Sequence, residues 1–230
     1  METTLHQQLK TLYAGDPDCR EVVVNGFRID AIADGRLIEI QSAPLAAIRR
    51  KVRALLERHR VLVVKPLAER TLIVRRARRG PVESQRYSPA RASLLNVFAE
   101  LVHFIDVFPH PRLELEILLV EQEEHRRPAP KRRWRSKGFR VDDRRLLSVN
   151  QRLRLSTAGD LAALLPAGLP VAFTTSDIAR NAGIPRWLAQ KAAYCLRKAG
   201  GLASIGKQRG AVVYQMADAD GTAEPLRAAA

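Results

Sequence analysis

The clearest pattern in the chain is an alternation of apolar and polar residues over residues 20–41. Two dipeptides that favour tight hairpin turns, Asn25-Gly26 and Asp34-Gly35, divide this stretch into three short segments. The segments are rich in β-branched and other aliphatic residues, which pack well on a half-buried sheet. The sequence therefore predicts a meander of three antiparallel strands.

Helical periodicity flanks this predicted meander. Residues 3–14 have the pattern of a short helix, and Pro44 opens a second helix whose apolar residues fall on one stripe. The apolar run at residues 60–65 predicts a buried strand, which Pro66 ends. A further strand, a helix and a last strand are predicted over residues 70–76, 92–108 and 113–120. The pattern indicates an α/β domain over residues 1–124, with a mixed sheet flanked by helices.

Basic residues are concentrated in one segment of the chain. The formal net charge is +15, and residues 125–154 contribute 12 basic and 2 acidic side chains to it. The prolines and the glycine of this segment are typical of a linker, so we expect a basic linker there. Its positive field attracts nucleic acid, although a solvated tether would have the same composition. The candidate DNA contacts in it are Arg132, Arg133, Trp134, Arg135 and Lys137.

Three helices and a hairpin are predicted in residues 155–217. The helices fall near residues 157–165, 176–183 and 185–200, and the strands near 202–205 and 211–216. This order resembles a winged helix-turn-helix domain. The resemblance implies that the third helix enters the major groove and that the hairpin contacts phosphates or the minor groove. It assigns to DNA the residues Arg186, Trp187, Gln190 and Lys191 of the helix and Lys207 and Arg209 of the hairpin.

Two acidic residues lie in the middle of predicted strands, where acids are disfavoured. Pairing across the Asp34-Gly35 turn places Asp30 opposite Glu39, so the two carboxylates should lie side by side. Two negative charges this close repel each other unless a cation lies between them. Because Mg²⁺ and Mn²⁺ prefer carboxylate oxygens, we expect the pair to hold such an ion. The alternative is that both residues are polar positions of a half-exposed hairpin.

The order of elements and the acidic pair together resemble the PD-(D/E)xK nuclease superfamily. In that superfamily an acidic residue lies on the second strand of the meander and an ExK triplet on the third. This chain supplies Asp30 and the triplet Glu39-Ile40-Gln41, in which glutamine replaces lysine, as in branches similar to the CoiA-type nucleases. The resemblance covers residues 3–66 and implies a restriction-endonuclease-like sheet. It also implies that Asp30, Glu39 and the carbonyl oxygen of Ile40 are the metal ligands.

The lysine that the triplet lacks helps, in this superfamily, to position the attacking water. Gln41 is able to hold the water by hydrogen bonding instead. Lys51 is the first cationic candidate, because it lies beside the apolar stripe of the second helix and is expected to reach over the sheet. Lys65, at the end of the fourth strand, is the second. The predicted catalytic residues are Asp30, Glu39, Gln41 and Lys51.

Several protein classes are disfavoured by what the sequence lacks. Two cysteines are too few for a disulfide framework or a thiolate zinc site, and we expect both to be idle thiols. No run of about 18 apolar residues predicts a membrane span, and no signal peptide is apparent. The glycine motifs of nucleotide-binding proteins are missing, so an ATP-driven step needs a helicase or ATPase from another chain. We expect a cytoplasmic, nucleoid-associated protein with a disordered tail at residues 218–230. The sequence does not decide whether the protein is a monomer or a homodimer.

The sequence leaves three functions open. The first is a Mg²⁺- or Mn²⁺-dependent endonuclease that acts on duplex or branched DNA and is targeted by the winged helix and the basic linker. The second is a catalytically inactive nuclease-fold adaptor or regulator that binds DNA, which the glutamine of the triplet favours and the acidic pair disfavours. The third is RNA binding or processing. In each of them, the winged helix could bind protein or hold a dimer together instead.

Overall fold

The computed structural model describes residues 2–77, 80–129 and 138–217 of the 230-residue chain. The fold is α/β, with a large mixed sheet flanked by helices. The chain forms two compact units that alternate along the sequence. The first unit comprises Met1–Ser42, Arg58–Ser93 and Glu116–Arg154, and the second comprises Ala43–Glu57, Leu94–Leu115 and Leu155–Ala230.

Within the described ranges the central sheet has seven strands. In chain order they are β1 (Arg20–Val24), β2 (Phe27–Ala33), β3 (Arg36–Ile40), β4 (Arg60–Arg76), β5 (Val82–Tyr87), β6 (Leu113–Pro128) and β7 (Phe139–Leu155). Across the sheet the order is β1-β2-β3-β4-β6-β7, and β5 pairs with the last residues of β4. The sheet is mixed, because β1, β2 and β3 pair antiparallel whereas β3 and β4 run parallel.

The helices in the described part of the chain are short. They are α1 (Thr4–Tyr13), α2 (Arg49–Leu56), α3 (Val97–Leu101), α4 (Ala158–Ala162), α5 (Thr175–Ala182) and α6 (Arg186–Ala199). After α6, strands β8 (Leu202–Gln208) and β9 (Ala211–Met216) form a separate antiparallel hairpin. None of the helices in these residues is long and apolar enough to cross a membrane.

The predicted meander is confirmed. β1 and β2 meet at the Asn25-Gly26 turn, and β2 and β3 meet at the Asp34-Gly35 turn. In both turns the two residues have positive φ angles, from 50° to 77°. Asn-Gly and Asp-Gly adopt this backbone geometry with little strain, and its twist matches that of the flanking strands. Turn chemistry therefore specifies the register of the meander as well as its strands.

β4 is longer than the pattern predicts. It continues through Pro66 to Arg76, where two separate strands were expected. The Gln41 N–H donates to the Val64 carbonyl oxygen at 2.8 Å, and the next donor toward β3 in a parallel ladder would be the amide of residue 66. Because proline has no N–H, Pro66 ends the ladder with β3 without ending β4.

The predicted basic linker at residues 125–154 is wrong for the part of it that the structure describes. β6 runs to Pro128, and β7 begins at Phe139 and forms one edge of the sheet. Charged residues are common on edge strands, since one side of the strand faces solvent. The high arginine content of this segment therefore predicted a linker where the chain forms strand β7. The candidate DNA contacts Arg132, Arg133, Trp134, Arg135 and Lys137, and the tail at residues 218–230, lie outside the described residues.

The predicted division into residues 1–124 and 155–217 does not match the two compact units. The helix expected at residues 92–108 is reduced to a 3₁₀ turn and α3, which packs against α6 in the second unit. The Cys195 thiol lies 3.7 Å from the carbonyl oxygen of Phe98, and both residues are fully buried. Burial raises the pKa of Cys195 to about 12, which keeps this thiol protonated and idle at neutral pH. A segment from the middle of the chain thus covers α6, which periodicity along one helix does not reveal.

α1 packs on the sheet of the first unit. Thr3 caps the helix, because its side-chain oxygen accepts a hydrogen bond from the His6 N–H at 3.4 Å. Leu5 and Leu9 lie about one turn apart and are at most 1% exposed. They pack with the sheet residues Ala31, Ile38, Ile40, Leu62, Val64, Leu118 and Val120. These contacts fix the rotation of the helix, and with it the places of its polar residues.

Replacing Leu9 by alanine tests this packing. We expect Leu9→Ala to lower the free energy of unfolding by about 2–5 kcal/mol, because it leaves a cavity in a closely packed core. The matched control is Leu12→Ala, since Leu12 lies on the same helix but is 48% exposed. This control should lower the free energy of unfolding by less than about 0.5 kcal/mol. Urea unfolding of the full chain measures both, and equal losses would contradict the packing of α1.

Candidate functional site

Asp30 lies where β2 and β3 separate. The antiparallel ladder between the two strands has the expected register and ends at the pair Ala31 and Ile38. Beyond that pair, the Ile40 N–H donates to Oδ2 of Asp30 at 2.8 Å. A regular ladder would direct this N–H to the carbonyl oxygen of Ile29, so the carboxylate takes the place of a main-chain acceptor. Asp30 is thereby joined to the main chain of the predicted triplet.

The second oxygen of Asp30 faces α1. Its Oδ1 lies 3.1 Å from Nε2 of His6 and 3.3 Å from Nζ of Lys10. The register is the one that places Asp30 opposite Glu39, as predicted, but the ladder itself ends one pair earlier. Asp30 is instead held at both of its oxygens, by the β3 main chain on one side and by the helix on the other.

These contacts keep Asp30 negatively charged. Burial, which leaves its side chain 18% exposed, acts to raise its pKa. The hydrogen bonds from His6 and from the Ile40 N–H, together with the nearby charges of His6 and Lys10, act in the opposite direction and prevail. The pKa of Asp30 therefore lies below its ordinary value, and an ionised carboxylate is available here as a ligand for a cation.

Lys10 is the centre of an ion cluster. Its Nζ lies 2.7 Å from Oε1 of Glu2 and 3.3 Å from Oδ1 of Asp30, and it also pairs with Glu21. Arg28 pairs with Glu21 in turn. Since Lys10 is only 7% exposed, one buried ammonium group is shared by three carboxylates. We call the residues Glu2, His6, Lys10, Glu21 and Asp30 the α1 cluster.

Glu21 reaches the α1 cluster through an unusual backbone conformation. Its φ angle is 58°, in the left-handed region that residues other than glycine avoid. The ladder between β1 and β2 pairs Arg20 with Ala31 and Val22 with Ile29, so Glu21 lies between these two pairs, on the stretch across from Asp30. Backbone strain of this kind persists only where neighbouring contacts compensate for it. Here the compensating contacts are the ion pairs of Glu21 with Lys10 and Arg28.

Lys65 lies on β4, next to the triplet on β3. β3 and β4 pair Glu39 with Val63, and the same parallel register places Gln41 beside Lys65. Nζ of Lys65 lies 3.5 Å from the carbonyl oxygen of Ser42, the residue after Gln41. Glu39 and Lys65 are both buried, at 4% and 3% exposure. The second candidate for the missing lysine thus lies next to the triplet.

Lys51, the first candidate, lies on α2 in the second unit, whereas Asp30, Glu39 and Lys65 lie in the first. Its expected reach over the sheet stays a prediction. The sequence pattern did not identify Glu2, His6, Lys10 or Glu21 as site residues. The sequence does contain a pattern that indicates two of these residues. His6 and Lys10 each follow a leucine of the buried stripe, and they lie four residues apart on one face of the helix. The positive φ angle of Glu21 has no such signal.

The donor atoms around the end of β3 suit Mg²⁺ or Mn²⁺. The carboxylates of Asp30 and Glu39 and the carbonyl oxygen of Ile40 are hard oxygen ligands, and water completes the shell of such ions. Across residues 2–77, 80–129 and 138–217, no three or more His, Cys, Asp or Glu side chains form a group that could hold a metal ion. The predicted set needs only two side chains and one carbonyl, so its chemistry fits the ion.

The second unit presents a basic and aromatic face on α6. Arg186, Trp187 and Gln190 are exposed near the N-terminus of the helix. Nζ of Lys191 lies 5.3 Å from the centre of the Trp187 ring, which is a cation–π contact. Tyr194, further along, is 40% exposed. Because α6 contains no acidic residue, the charge of this face is entirely positive.

The hairpin carries two more of the predicted DNA contacts at its tip. The turn is shorter than the five residues expected, because β8 extends to Gln208 and only Arg209 and Gly210 form the turn. Their φ angles are 49° and 80°, the geometry of a two-residue hairpin turn. Lys207 and Arg209 are both exposed. They present positive charge at the end of the hairpin.

The arginines of the predicted linker are largely paired with carboxylates where the structure describes them. Arg126 and Arg144 contact Glu124 at 2.6 and 3.0 Å. Burial acts to raise the pKa of Glu124, but these two arginines lower it below its ordinary value. The other ion pairs of the segment are Arg127–Asp142, Arg140–Asp142, Arg145–Asp143 and Arg154–Glu116. These residues therefore contribute a weaker positive field than the charge count of the segment suggests.

Comparison with known proteins gives relatives but no activity. A family model described as a domain of unknown function (DUF8091) matches residues 3–156. An uncharacterized protein of Treponema pallidum (strain Nichols) is 31% identical over 181 residues, which cover 78% of this chain and 72% of the relative. No solved structure gives a significant match. The family match extends through β6 and β7, and thus includes the segment first interpreted as a linker.

The charge of Asp30 predicts how stability depends on pH. Because the pKa of Asp30 is lowered in the folded state, its contribution to stability is present above the ordinary value and is lost as the pH falls through the folded-state value. Asp30→Asn should lower the free energy of unfolding at pH 7 by about 1–3 kcal/mol. The deficit relative to wild type should shrink as the pH falls below about 4.

Urea unfolding at pH 7 and pH 3 measures this dependence. Asp34→Asn is the matched control, because it makes the same change in an exposed turn where the side chain is 82% exposed. It should change the free energy of unfolding by less than about 0.5 kcal/mol at pH 7. A deficit of equal size for Asp30→Asn at both pH values would show that its charge is not what stabilises the fold.

Proposed function

The chain belongs to the DUF8091 family, whose function is unknown, and we propose from its site that the first unit is a Mg²⁺- or Mn²⁺-dependent DNA endonuclease of the PD-(D/E)xK type. The observation that carries the proposal is the anionic Asp30 carboxylate, which accepts a hydrogen bond from the main-chain N–H of Ile40, the residue that follows buried Glu39 in the chain. The meander, with α1 before it and the parallel strand β4 after it, supports a restriction-endonuclease-like sheet.

Asp30, Glu39 and the carbonyl oxygen of Ile40 would hold the metal ion. The ion supplies the positive charge that stabilises the phosphate as negative charge develops on it. Asp30 is ionised before the ion arrives, because its pKa is already low. Burial of Glu39 strengthens its interaction with a cation, since little water screens it. Asp30 therefore provides a charged ligand that needs no proton release at neutral pH.

The remaining residues of the triplet region would direct the hydrolysis. The Gln41 amide would orient the attacking water, and the Lys65 ammonium beside it would draw the scissile phosphate toward the site. The water oxygen then bonds to phosphorus as the bond to the 3′ oxygen breaks. By the superfamily resemblance, the products are a 5′-phosphate and a 3′-hydroxyl.

The second unit would bind the DNA as a winged helix. The order α4-α5-α6-β8-β9 supports this assignment, as does an antiparallel bridge between Phe173 and Tyr214 that adds to the hairpin. Exposed Arg186 and Gln190 are suited to base edges, and Lys207 and Arg209 to phosphates. In this proposal the enzyme acts on duplex or branched DNA in the cytoplasm, at the nucleoid, and another chain drives any strand opening.

A second function is favoured by one specific observation. Lys10 already forms ion pairs with three carboxylates, one of which is a proposed metal ligand. A fixed internal cation removes part of the repulsion that a metal ion would otherwise relieve. The first unit would then be a scaffold without activity, and the whole chain a DNA-binding adaptor or regulator. Cleavage measurements separate the two functions.

Cleavage of DNA tests the proposed site. Asp30→Asn and Glu39→Gln keep the side-chain shapes but remove the ligand charges, so each should reduce Mn²⁺-dependent cleavage at least about 100-fold. Glu83→Gln is the matched control, because Glu83 is exposed on β5, and it should cut like wild type. The assay compares supercoiled plasmid, linear duplex, single-stranded and branched DNA, and RNA, with Mg²⁺, Mn²⁺ or EDTA.

The outcomes of this assay discriminate among the candidate functions. Metal-dependent cleavage of DNA that both site variants lose would support the nuclease. Tight DNA binding without cleavage in any metal would favour the adaptor, and cleavage of RNA alone would favour RNA processing. Unchanged cleavage by the two site variants would contradict the assignment of Asp30 and Glu39.

Binding to duplex DNA tests the second unit. Arg186→Ala and Trp187→Ala should each weaken binding by about 1–3 kcal/mol, since they remove a candidate base contact and an exposed aromatic face. Arg209→Ala should reduce the slope of log affinity against log salt by about 1, because it removes one phosphate contact. Fluorescence anisotropy at several salt concentrations measures both effects. Arg86→Ala, exposed on β5, is the control, and equal losses in all four variants would contradict a specific surface.

A further inference from the structure

The proposed nuclease site lacks a cation at the third position of its triplet, where Gln41 stands in place of lysine. A lysine from another element nevertheless contacts the first acidic residue directly. Nζ of Lys10 lies 3.3 Å from Oδ1 of Asp30, the oxygen that does not accept the Ile40 N–H. Lys10 comes from α1, so the sheet alone does not supply it.

Packing holds Lys10 in this position. Lys10 follows Leu9, which is fully buried against the sheet, and Leu5 anchors the preceding turn. Successive residues of a helix differ by about 100° in direction, so Lys10 lies at the edge of the buried face rather than on the solvent side. Its 7% exposure agrees with this placement. The hydrophobic core therefore sets the distance between the ammonium group and Asp30.

The α1 cluster is costly for folding alone. Taking a charge out of water is unfavourable, and buried ion groups are often replaceable by apolar residues without loss of stability. Glu21 adds backbone strain in order to contact Lys10. A buried ammonium group with a partner carboxylate on a strained residue points to a functional constraint.

We propose that Lys10 is a positioning residue that supplies the positive charge missing from the triplet, acting through Asp30. This inference rests on the proposed nuclease function. Lys10 fixes Oδ1 of Asp30 while the Ile40 N–H fixes Oδ2, so the carboxylate is held in one orientation. Glu2 and Glu21 remain paired with Lys10 and offset its repulsion of a second cation at Asp30.

The test is Lys10→Met in the full chain, which removes the charge and keeps an unbranched side chain only one atom shorter. We expect kcat for DNA cleavage to fall at least about 100-fold, while KM for DNA changes less than about threefold because the second unit binds the DNA. Mn²⁺ alone, titrated into the metal-free protein by calorimetry, should bind as tightly as to wild type or more tightly. The reason is that a competing positive charge has gone.

Two further variants control this experiment. Lys10→Arg keeps the positive charge and should retain kcat within about tenfold of wild type. Arg86→Met removes an exposed charge from β5 and should cut like wild type. If Lys10→Met does not unfold cooperatively in urea, it is not properly folded, and kcat of Lys10→Arg is then the measurement that tests the inference. A folded Lys10→Arg variant whose kcat falls more than about 100-fold would overturn the charge role.

The results separate this inference from the function on which it rests. Wild-type cleavage with undiminished cleavage by Lys10→Met overturns the inference and leaves the nuclease standing. Parallel loss of kcat and of Mn²⁺ binding in Lys10→Met would mean that Lys10 only maintains the fold of the ligands, and this also overturns it. A wild-type protein that cuts nothing removes the proposed function and the inference together.

Discussion

The packing of α1 on the sheet is the interaction on which the candidate site depends. Leu5 and Leu9 lie in a core with Ala31, Ile38 and Ile40, residues that surround the point where β2 and β3 separate. The helix brings His6 and Lys10 to Asp30 only because these apolar contacts fix its rotation. The same packing buries Lys10, so the charge interactions of its ammonium group are stronger than they would be at the surface. A change in the packing of α1 in this unit would therefore also change the charge interactions at Asp30.

Local chemistry explains which features the sequence could predict. The two hairpin turns and the order of helices and strands through β4 follow from dipeptides and periodicity that act over a few residues. β7 was missed because its arginines resemble a linker when their partners, such as Glu124 on β6, are not known to be near. Asp30 was recognised, but its partners on α1 were not, since contacts between a helix and a strand far apart in the chain leave no local pattern. The sequence predicts a strand end at Pro66, whereas in the structure this proline ends only the ladder between β3 and β4.

The distribution of charge changes the account of nucleic-acid binding. A net charge of +15 predicts a polyanion partner, and much of the excess lies in residues 125–154. The described arginines of that segment pair with carboxylates of the sheet, so they serve the fold of the first unit. Positive charge without acidic neighbours in the sequence is found instead on α6 and at the hairpin tip. Function is thus proposed to divide between a first unit that carries the acidic site and a second unit that binds DNA.

The proposed metal site comprises Asp30, Glu39 and the Ile40 carbonyl, beside Lys10. Anomalous diffraction from crystals of the full chain soaked in Mn²⁺ locates such an ion without relying on turnover. We expect one strong peak at about 2.1–2.3 Å from an oxygen of each of these three residues, with Lys10 still paired to Glu2 and Glu21. A fully occupied peak elsewhere, or no peak while Lys10 remains the cation at Asp30, would show that these residues do not form the metal site.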